Sequence, residues 1–492
     1  MGYIRYITDL LHGNISGIDF LTWRFYFVLV FEIVLFWVIP PKLRKSLLLI
    51  INLSFYLLNG KRATTLLLYL IISGWIAARL IEKRRSKILL WLGIVMIALP
   101  FVLNRTFLLD IDIFTNVRTI LSCVGLAYTT LMALGYVIDV YMGRYSCVRF
   151  INYAAFLAFF PYAMAGPIER ADRMNDQIEA LEKKIFSWGQ LQAGAVCIIY
   201  GLFVKLVIAD RIGILVNTVL DNYQYYVGFE LLTAVFLYGI EIYCDFSACS
   251  NIARGIARCF GVEIIDNFQQ PYFSRNITEF WRRWHRSLSF WLRDYIYIPL
   301  GGNQKGRGRQ YFNLFITFIV SGLWHGFSPH FVLWGGIHGI YQIVGRTTAH
   351  IRKVINCRCN INSDTMGHRF MQVIVTFLMV DFAWLFFRVE HISDVFRIIQ
   401  RIIFGLDWSF VYSGYLNLGL SLLDWRILVF GLSVIMAVDT LHFIYRGKFM
   451  MMFLHENLGA RYLVFIGLLA ASLVFGIYGA GFDSASFIYR GF

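Results

Sequence analysis

Residues 311–326 read YFNLFITFIVSGLWHG, an almost wholly apolar run that ends close to a histidine. A run of this kind predicts a helix that crosses a membrane or is embedded in it. Comparable runs recur at residues 20–38, 63–81, 88–103, 119–141, 191–208, 231–243, 327–344, 370–387, 427–444 and 462–480. Shorter apolar stretches at 47–58 and 151–165 are compatible with spans, re-entrant hairpins or interfacial helices. We therefore predict an all-α, polytopic integral membrane protein of about 11 to 14 helices, with re-entrant or interfacial helices around a central cavity.

The composition of the whole chain supports this class. Of its 492 residues, 58% are hydrophobic and only 15% are charged, whereas about a quarter of a soluble chain is charged. This composition excludes an ordinary water-soluble enzyme. The formal net charge of +15 would suggest nucleic acid as the partner of a soluble protein. In a membrane protein it predicts cytoplasmic loops and contacts with lipid headgroups instead, and no nucleic-acid partner.

Short loops rich in lysine and arginine predict the orientation of the chain. Lys42, Arg44 and Lys45 follow the first apolar run, and residues 83–87 carry a second basic cluster. If stretch 47–58 crosses the membrane, these two loops share one side, which the positive-inside rule makes cytoplasmic. We therefore predict a multi-pass protein of the inner or plasma membrane with an extracytoplasmic N-terminus.

The sequence shows no boundary between domains, because it contains no internal repeat, low-complexity segment or linker rich in Pro, Gly or Ser. We predict one membrane domain over residues 1–492. Within it, residues 20–150 form N-terminal helices, 151–345 a core with the functional motifs, and 346–492 C-terminal helices. No metal site is predicted, because the closest cysteine pair, Cys-Arg-Cys at 357–359, is too tightly spaced for a usual zinc knuckle.

One polar segment is long and chemically unusual. Residues 266–310 read DNFQQPYFSRNITEFWRRWHRSLSFWLRDYIYIPLGGNQKGRGRQ, in which prolines bracket a predicted helix of roughly 20 residues. At about 100° per residue, two opposite faces emerge. One carries Trp281, Trp284, Leu288, Trp291 and Tyr295, and the other Arg282, His285, Arg286, Ser289 and Arg293.

Two interpretations of this helix are open. In the simpler one it lies at the membrane interface, with tryptophans at headgroup depth and arginines on lipid phosphates. In the other, its polar face lines a protein cavity that holds an anionic or thioester substrate. There, arginines would supply fixed hydrogen-bond donors and His285 a hydrogen bond or a proton.

The run at 311–326 favours the cavity, because it places His325 at or inside the membrane edge. An ionisable side chain at that depth is costly and usually faces a cavity, and the nearby Gly322 and Gly326 allow backbone or substrate to approach closely. The alternative is a histidine that only completes a helix end. We interpret other polar residues in apolar runs as intramembrane pairs that hold helices together, and the remaining histidines as structural. The former are Lys205, Asp210, Arg211, Glu241, Asp245 and Ser247, and the latter include His330 and His338.

Several blocks of the sequence, in this order, resemble the membrane-bound O-acyltransferases, and in particular their bacterial branch that contains the membrane subunit of alginate O-acetyltransferase. The resemblance extends over nearly the whole chain, and its central blocks are long enough to be specific. The blocks are FP…AGPI at 160–168, YCDFS at 243–247, NF…PY at 267–272, FWRRWH at 280–285, SLS at 287–289, WLRDYIYIPLGG at 291–302, GLWHG at 322–326, WGGIHG at 334–339, AWLFFR at 383–388 and FIY at 487–489.

The resemblance implies transfer of an acyl group, most simply acetyl, from a cytosolic thioester to a hydroxyl of an extracytoplasmic polysaccharide, directly or through a partner. It places the family's catalytic histidine at His325 and a second polar residue of the site at His285. It implies acetyl-CoA or an acyl carrier as donor, no permanently bound cofactor, and an extracytoplasmic esterase-like acetyltransferase as partner. From the predicted helix itself we add contacts to the donor, namely Arg282, Arg286, Trp281 and Ser289.

Other functions stay open at this point. Within the same family, a D-alanyl or other acyl group could pass to teichoic acid or peptidoglycan. A transporter or flippase for a lipid-linked glycan would also have many helices, buried charges and basic loops. Such proteins commonly carry broken helices in two related halves, whereas the unusual residues here are concentrated at 257–326, which favours the enzyme. A non-enzymatic scaffold of a secretion complex is the third possibility.

Overall fold

The computed structural model describes residues 22–478, apart from 106–124, 165, 407–414, 416–417 and 448. Across these ranges all regular elements are helices and none is a strand, which confirms the all-α class. Among the described residues, seven helices are long and apolar enough to cross a membrane, which confirms a multi-pass protein. They are Lys61–Arg84, Lys87–Asn104, Trp188–Leu220, Phe229–Cys259, Met366–Arg388, Leu422–Ile444 and Leu458–Phe475.

The remaining predicted spans form helices that are shorter or less apolar, so the total of about 11 to 14 stays a prediction. These helices are Trp23–Val38, Arg44–Leu58, Leu126–Tyr141, Phe150–Ala158, Gly306–His325 and Pro329–Thr347. Shorter or more polar helices complete the described part, namely Ala171–Ala180, Ile277–Arg283, Arg286–Leu292, Ala349–Arg358, Ile392–Phe404 and Phe449–His455. The FIY block at 487–489 and the N-terminal residues 1–21 lie outside the described residues.

The chain divides into two compact units. The first comprises residues 1–198, 249–265 and 483–492, and the second residues 199–248 and 266–482. The division into N-terminal helices, core and C-terminal helices inside one domain stays a prediction. Every residue predicted for the functional site lies in the second unit.

In the first unit, a short helix is buried where the sequence left a span open. Helix Phe150–Ala158 packs on Arg44–Leu58 and Lys61–Arg84, and nearly all of its residues are buried. Its nine residues would extend only about 14 Å, too short to cross a bilayer.

The guanidinium of Arg44 is buried too. It donates to the carbonyl oxygen of Lys184 over 2.6 Å, so its charge is held inside the protein and does not mark an exposed cytoplasmic loop.

In the second unit, two closely packed helices, Gly306–His325 and Pro329–Thr347, form a hairpin that positions His325. The first helix ends at His325, where Gly326 takes an extended backbone, and Pro329 then begins the second. The two backbones touch at glycines. A methyl group on Gly322 would collide with the carbonyl oxygen of Phe331, and one on Gly335 with that of Phe318. Small residues at the contact between two helices are typical of tightly packed helix pairs in membranes.

The close approach predicts a position-specific effect of alanine in this hairpin. Gly335→Ala should destabilise the protein by about 1–3 kcal/mol, because the added methyl group forces the two backbones apart. Gly345→Ala on the same helix is the matched control, since a Cβ there meets no atom within 4 Å. Thermal unfolding of the detergent-solubilised variants measures both effects, and equal unfolding temperatures would contradict the inferred backbone contact.

Candidate active site

His325, the first predicted catalytic residue, is the last residue of helix Gly306–His325 and is 2% exposed. Its ring is enclosed by aromatic side chains. The ring of Trp334 stands perpendicular to it at 5.2 Å between centroids, and that of Phe387 is edge-on at 5.0 Å. The indole of the preceding Trp324 lies at 4.7 Å. His325 is therefore densely surrounded by apolar rings. We call these rings and those that pack on them the aromatic wall.

His285, the second predicted catalytic residue, interrupts the helix that the sequence predicted. Helix Ile277–Arg283 ends before it and helix Arg286–Leu292 begins after it, so the prediction of one continuous helix of roughly 20 residues is wrong. The backbone of His285 is left-handed, with φ 39° and ψ 55°. A right-handed helix cannot continue through such a residue. Hydrogen bonds between the break and residues 267–269 support this conformation, and sequence periodicity does not encode such contacts.

The fold brings the two predicted catalytic histidines together on one indole. The ring of Trp324 lies 5.9 Å from that of His285 and 4.7 Å from that of His325, between centroids. The imidazole of His285 is 1% exposed and also meets the ring of Phe246 edge-on at 4.8 Å. Burial lowers its pKa to about 3, because the charged imidazolium is poorly solvated there. At neutral pH this side chain is therefore a neutral donor and acceptor of hydrogen bonds.

The four residues predicted to contact the donor do not form a single face, because the break separates them onto two helices. On the first, the indole N–H of Trp281 is buried and donates to Nδ1 of His338 over 3.2 Å, whereas Arg282 is exposed. On the second, Arg286 is half-buried, and its Nη1 donates to the carbonyl oxygen of Asp266 over 3.1 Å. Ser289 is also half-buried, and its hydroxyl lies 3.4 Å from the carbonyl oxygen of Trp284. Their contacts to a donor stay predictions.

Sequence reasoning left His338 as a structural residue, but the structure places it in the wall around His325. His338 is fully buried, and its ring and that of His325 both lie against Trp334, at 5.1 Å and 5.2 Å. Because Nδ1 accepts the N–H of Trp281, the neutral ring carries its proton on Nε2. The spacing of Trp334 and His338, one helical turn apart in the WGGIHG block, was the available signal.

Three tryptophans from distant parts of the chain form the centre of this wall. The indole of Trp334 stacks on that of Trp384 at 5.5 Å, and Trp384 lies 5.0 Å from Trp284, between ring centroids. All three side chains are among the largest fully buried ones. Asp381, one turn before Trp384, is 6% exposed and lies directly over Gly239, where any Cβ would collide with its Oδ1. Sequence analysis did not single out this carboxylate, although an ionisable residue inside the apolar run 370–387 was an available signal.

A buried ion cluster lies elsewhere in the second unit. The ammonium of Lys205 is 2.7 Å from Oδ1 of Asp210 and 2.7 Å from Oδ1 of Asp245. Lys205 belongs to the π-helical turn Val204–Ala209 inside helix Trp188–Leu220, a local irregularity that turns it towards both carboxylates. This geometry agrees with the interpretation of these residues as an intramembrane pair that holds helices together. The described ranges contain no group of three or more His, Cys, Asp or Glu side chains that could hold a metal ion.

The fold and the site define a polytopic membrane protein with two buried histidines beside one indole. Residues 141–386, half of the chain, match the model of MBOAT, the membrane-bound O-acyltransferase family. This region contains both histidines and all three tryptophans of the wall. The chain therefore belongs to the membrane-bound O-acyltransferase family.

Individual relatives agree with this assignment. The chain is similar to "Probable alginate O-acetylase AlgI" of Pseudomonas syringae pv. tomato, with 35% identity over 295 residues, 59% of this chain and 53% of the relative. A protein of the same name from Pseudomonas fluorescens is 32% identical over 387 residues, 76% of this chain and 73% of the relative. "Peptidoglycan O-acetyltransferase" of Helicobacter pylori is 32% identical over 263 residues, 54% and 48% of the two chains. The first and third matches thus span only about half of each relative's length.

The left-handed backbone at residue 285 predicts a difference between two substitutions. Both His285→Gly and His285→Ala remove the imidazole, but only glycine adopts this conformation without a steric cost. His285→Gly should therefore unfold at the higher temperature, with a difference of about 1–2 kcal/mol in the free energy of unfolding. Thermal unfolding in detergent measures it. An alanine variant as stable as the glycine variant would contradict a left-handed residue 285.

Proposed function

We propose that the protein is a membrane-embedded O-acyltransferase that moves an acetyl group from acetyl-CoA to a hydroxyl of an extracytoplasmic polysaccharide, directly or through a partner. The placement of His285 and His325 on the single indole of Trp324 is the observation that carries this proposal. Family membership supports it, as do relatives whose names include alginate O-acetylase and peptidoglycan O-acetyltransferase. Membership of an acyltransferase family favours this enzyme over a transporter of lipid-linked glycans.

In this proposal His325 is the general base. The acceptor hydroxyl gives its proton to the neutral imidazole while its oxygen attacks the thioester carbonyl carbon. The carbon–sulfur bond then breaks, an ester forms, and the proton passes to the departing thiolate. General-base help of this kind is worth roughly 10²–10⁴-fold in rate.

His285 is the second catalytic residue. As a neutral imidazole it donates a hydrogen bond to the thioester carbonyl oxygen, where negative charge develops during the attack. The apolar surroundings strengthen such a bond, because no water competes for the oxygen. The dense packing of Phe246 and Trp324 around its ring supports this role, since a donor must be fixed before the reaction begins.

The distribution of charge favours entry of the donor from the cytoplasm. The two helices of the hairpin are antiparallel, so the loop before Gly306–His325 and the helix after Pro329–Thr347 lie at the same end. That end is basic, and the positive-inside rule assigns it to the cytoplasm. Its exposed basic residues are Lys305, Arg307, Arg309, Arg352, Lys353 and Arg358. We propose that Arg282 and Arg286 contact the phosphates of the donor, with Trp281 and Ser289 beside them on the same two helices.

The proposals for the acceptor and the partner are supported by similarity to relatives named alginate O-acetylase. We propose a hydroxyl of an alginate-like polysaccharide as acceptor and an extracytoplasmic esterase-like acetyltransferase as the partner that completes the transfer. The protein would then lie in the inner or plasma membrane with an extracytoplasmic N-terminus. Mass analysis of surface polymer from a deletion strain tests the acyl group and the acceptor together. Loss of D-alanyl groups instead of acetyl esters would replace this proposal with transfer to teichoic acid.

His325→Ala should produce a folded, membrane-inserted protein that forms no polymer-bound acetyl ester in cells. In membranes of the producing cells, which also hold any partner, the rate of acetyl transfer from radiolabelled acetyl-CoA to polymer should fall by about 10²–10⁴-fold, because the general base is missing. His350→Ala is the matched control, since that histidine is exposed on helix Ala349–Arg358. Normal ester formation by the His325→Ala variant would overturn the proposed function.

A further inference from the structure

Residues 266–269 precede helix Ile277–Arg283 in the chain and form hydrogen bonds on both sides of the break at His285. We propose that Asn267, in this clamp segment of residues 266–269, is a positioning residue that fixes the backbone of His285 and thereby aims its imidazole at the reaction site. The inference rests on the proposed function, because it gives Asn267 a role in a reaction that His285 assists. Asn267 does not act on the substrate itself.

The conformation at His285 is one that needs external support. A histidine with φ 39° and ψ 55° carries a Cβ that crowds its own carbonyl oxygen, at a cost of about 1–2 kcal/mol. Such residues persist only where surrounding contacts determine the backbone, and they are concentrated at functional sites. At 1% exposure, His285 has almost no contact with solvent, so the protein itself must supply that support.

The clamp segment supplies it through hydrogen bonds on both sides of the break. On the side of the second helix, the backbone N–H of Arg286 donates to the carbonyl oxygen of Asn267 over 3.1 Å. The N–H of Ser287 donates to the side-chain Oδ1 of Asn267 over 3.2 Å. On the side of the first helix, the N–H of Gln269 donates to the carbonyl oxygen of Arg283 over 3.0 Å. One asparagine therefore accepts two N–H groups that follow His285 directly.

The N–H of Ser287 explains why an asparagine stands at position 267, because the N–H of Arg286 needs only the backbone carbonyl oxygen there. The first N–H groups of a helix have no acceptor within the helix, and water usually satisfies them at a surface. Asn267 is fully buried and Ser287 is 3% exposed, so water is excluded here. An unsatisfied buried N–H costs about 1–3 kcal/mol. The amide side chain thus replaces the missing cap, and it holds the chain at the angle that the left-handed residue requires.

The neighbour of Asn267 transmits this position to the imidazole. The ring of Phe268 packs edge-on against Phe246 at 4.9 Å and against Trp284 at 5.0 Å, between centroids. Phe246 is itself one of the rings against which the imidazole of His285 lies. The clamp segment therefore fixes both the backbone of His285 and one wall of the space that its side chain occupies. A shift of this segment would move the imidazole away from Trp324.

The test compares two asparagines that each accept an N–H at the start of a helix. Asn276 accepts the N–H of Glu279 over 2.9 Å and caps helix Ile277–Arg283, but it is exposed and does not contact the break. Asn267→Ala should lower kcat about 10²-fold, the effect of a misplacement of about 1 Å in a catalytic group, with KM little changed. Asn276→Ala should leave kcat unchanged. Asn267→Asp, which keeps the acceptor oxygen, should recover part of the lost rate.

A double-mutant cycle separates positioning from a merely structural role. If Asn267 acts through His285, then Asn267→Ala has no further effect on the residual rate of a His285→Ala variant. The assay measures acetyl transfer from radiolabelled acetyl-CoA to polymer in membranes of the producing cells, which also hold any partner, and relates the rate to the amount of each variant. Thermal unfolding in detergent first shows that each variant is folded. The inference is overturned if Asn267→Ala and Asn276→Ala have the same kcat, or if Asn267→Ala lowers the residual rate of His285→Ala equally.

The outcome for His325→Ala distinguishes this failure from failure of the proposed function. If that variant is inactive while Asn267→Ala has normal kcat, the acyltransferase stands and only the positioning role falls. If His325→Ala transfers acetyl at the normal rate, the proposed function itself is wrong.

Discussion

The contact between two helix backbones at Gly322 and Gly335 is the constraint on which the rest of the site depends. Because no side chain separates them there, the last turn of the first helix lies against the second. This contact brings His325 against Trp334, and it places His338 beside the same indole. Any larger residue at either glycine would shift both histidines relative to the aromatic wall. Backbone packing thus sets the positions of His325 and His338, whereas His285 depends on the hydrogen bonds at its helix break.

The aromatic wall gives the site its chemical character. Large rings such as Trp334 and Trp384 exclude water while leaving N–H groups and ring edges as the available polar features. Elsewhere in the same unit, the buried ammonium of Lys205 lies at hydrogen-bonding distance from two carboxylates that balance its charge. A buried charge without such partners would be costly. The surroundings of His325 are mostly aromatic, whereas the charge of Lys205 is balanced within the ion cluster.

Much of this was predictable from the sequence, and the limits have physical causes. The apolar runs predicted an all-α polytopic protein, which the structure confirms. The FWRRWH and GLWHG blocks pointed to His285 and His325, whose catalytic roles stay predictions. Helical periodicity failed between Trp281 and Ser289, because it assumes an uninterrupted helix. The break at His285 depends on hydrogen bonds that Asn267 accepts, and Asn267 lies outside the predicted helix. His338 was missed because a histidine on an apolar helix resembles a core residue, and only its spacing of one turn from Trp334 marked it.

The sequence by itself determined the membrane environment, the helical class and the residue types available for chemistry. These follow from local composition and spacing, since a bilayer requires long apolar helices whatever their arrangement. Only the tertiary structure decided which side chains meet. The pairing of His285 and His325 on Trp324, and the clamp by Asn267, join residues that are far apart in the chain. Such contacts arise because close packing of helices brings remote segments together, and no local pattern specifies that packing.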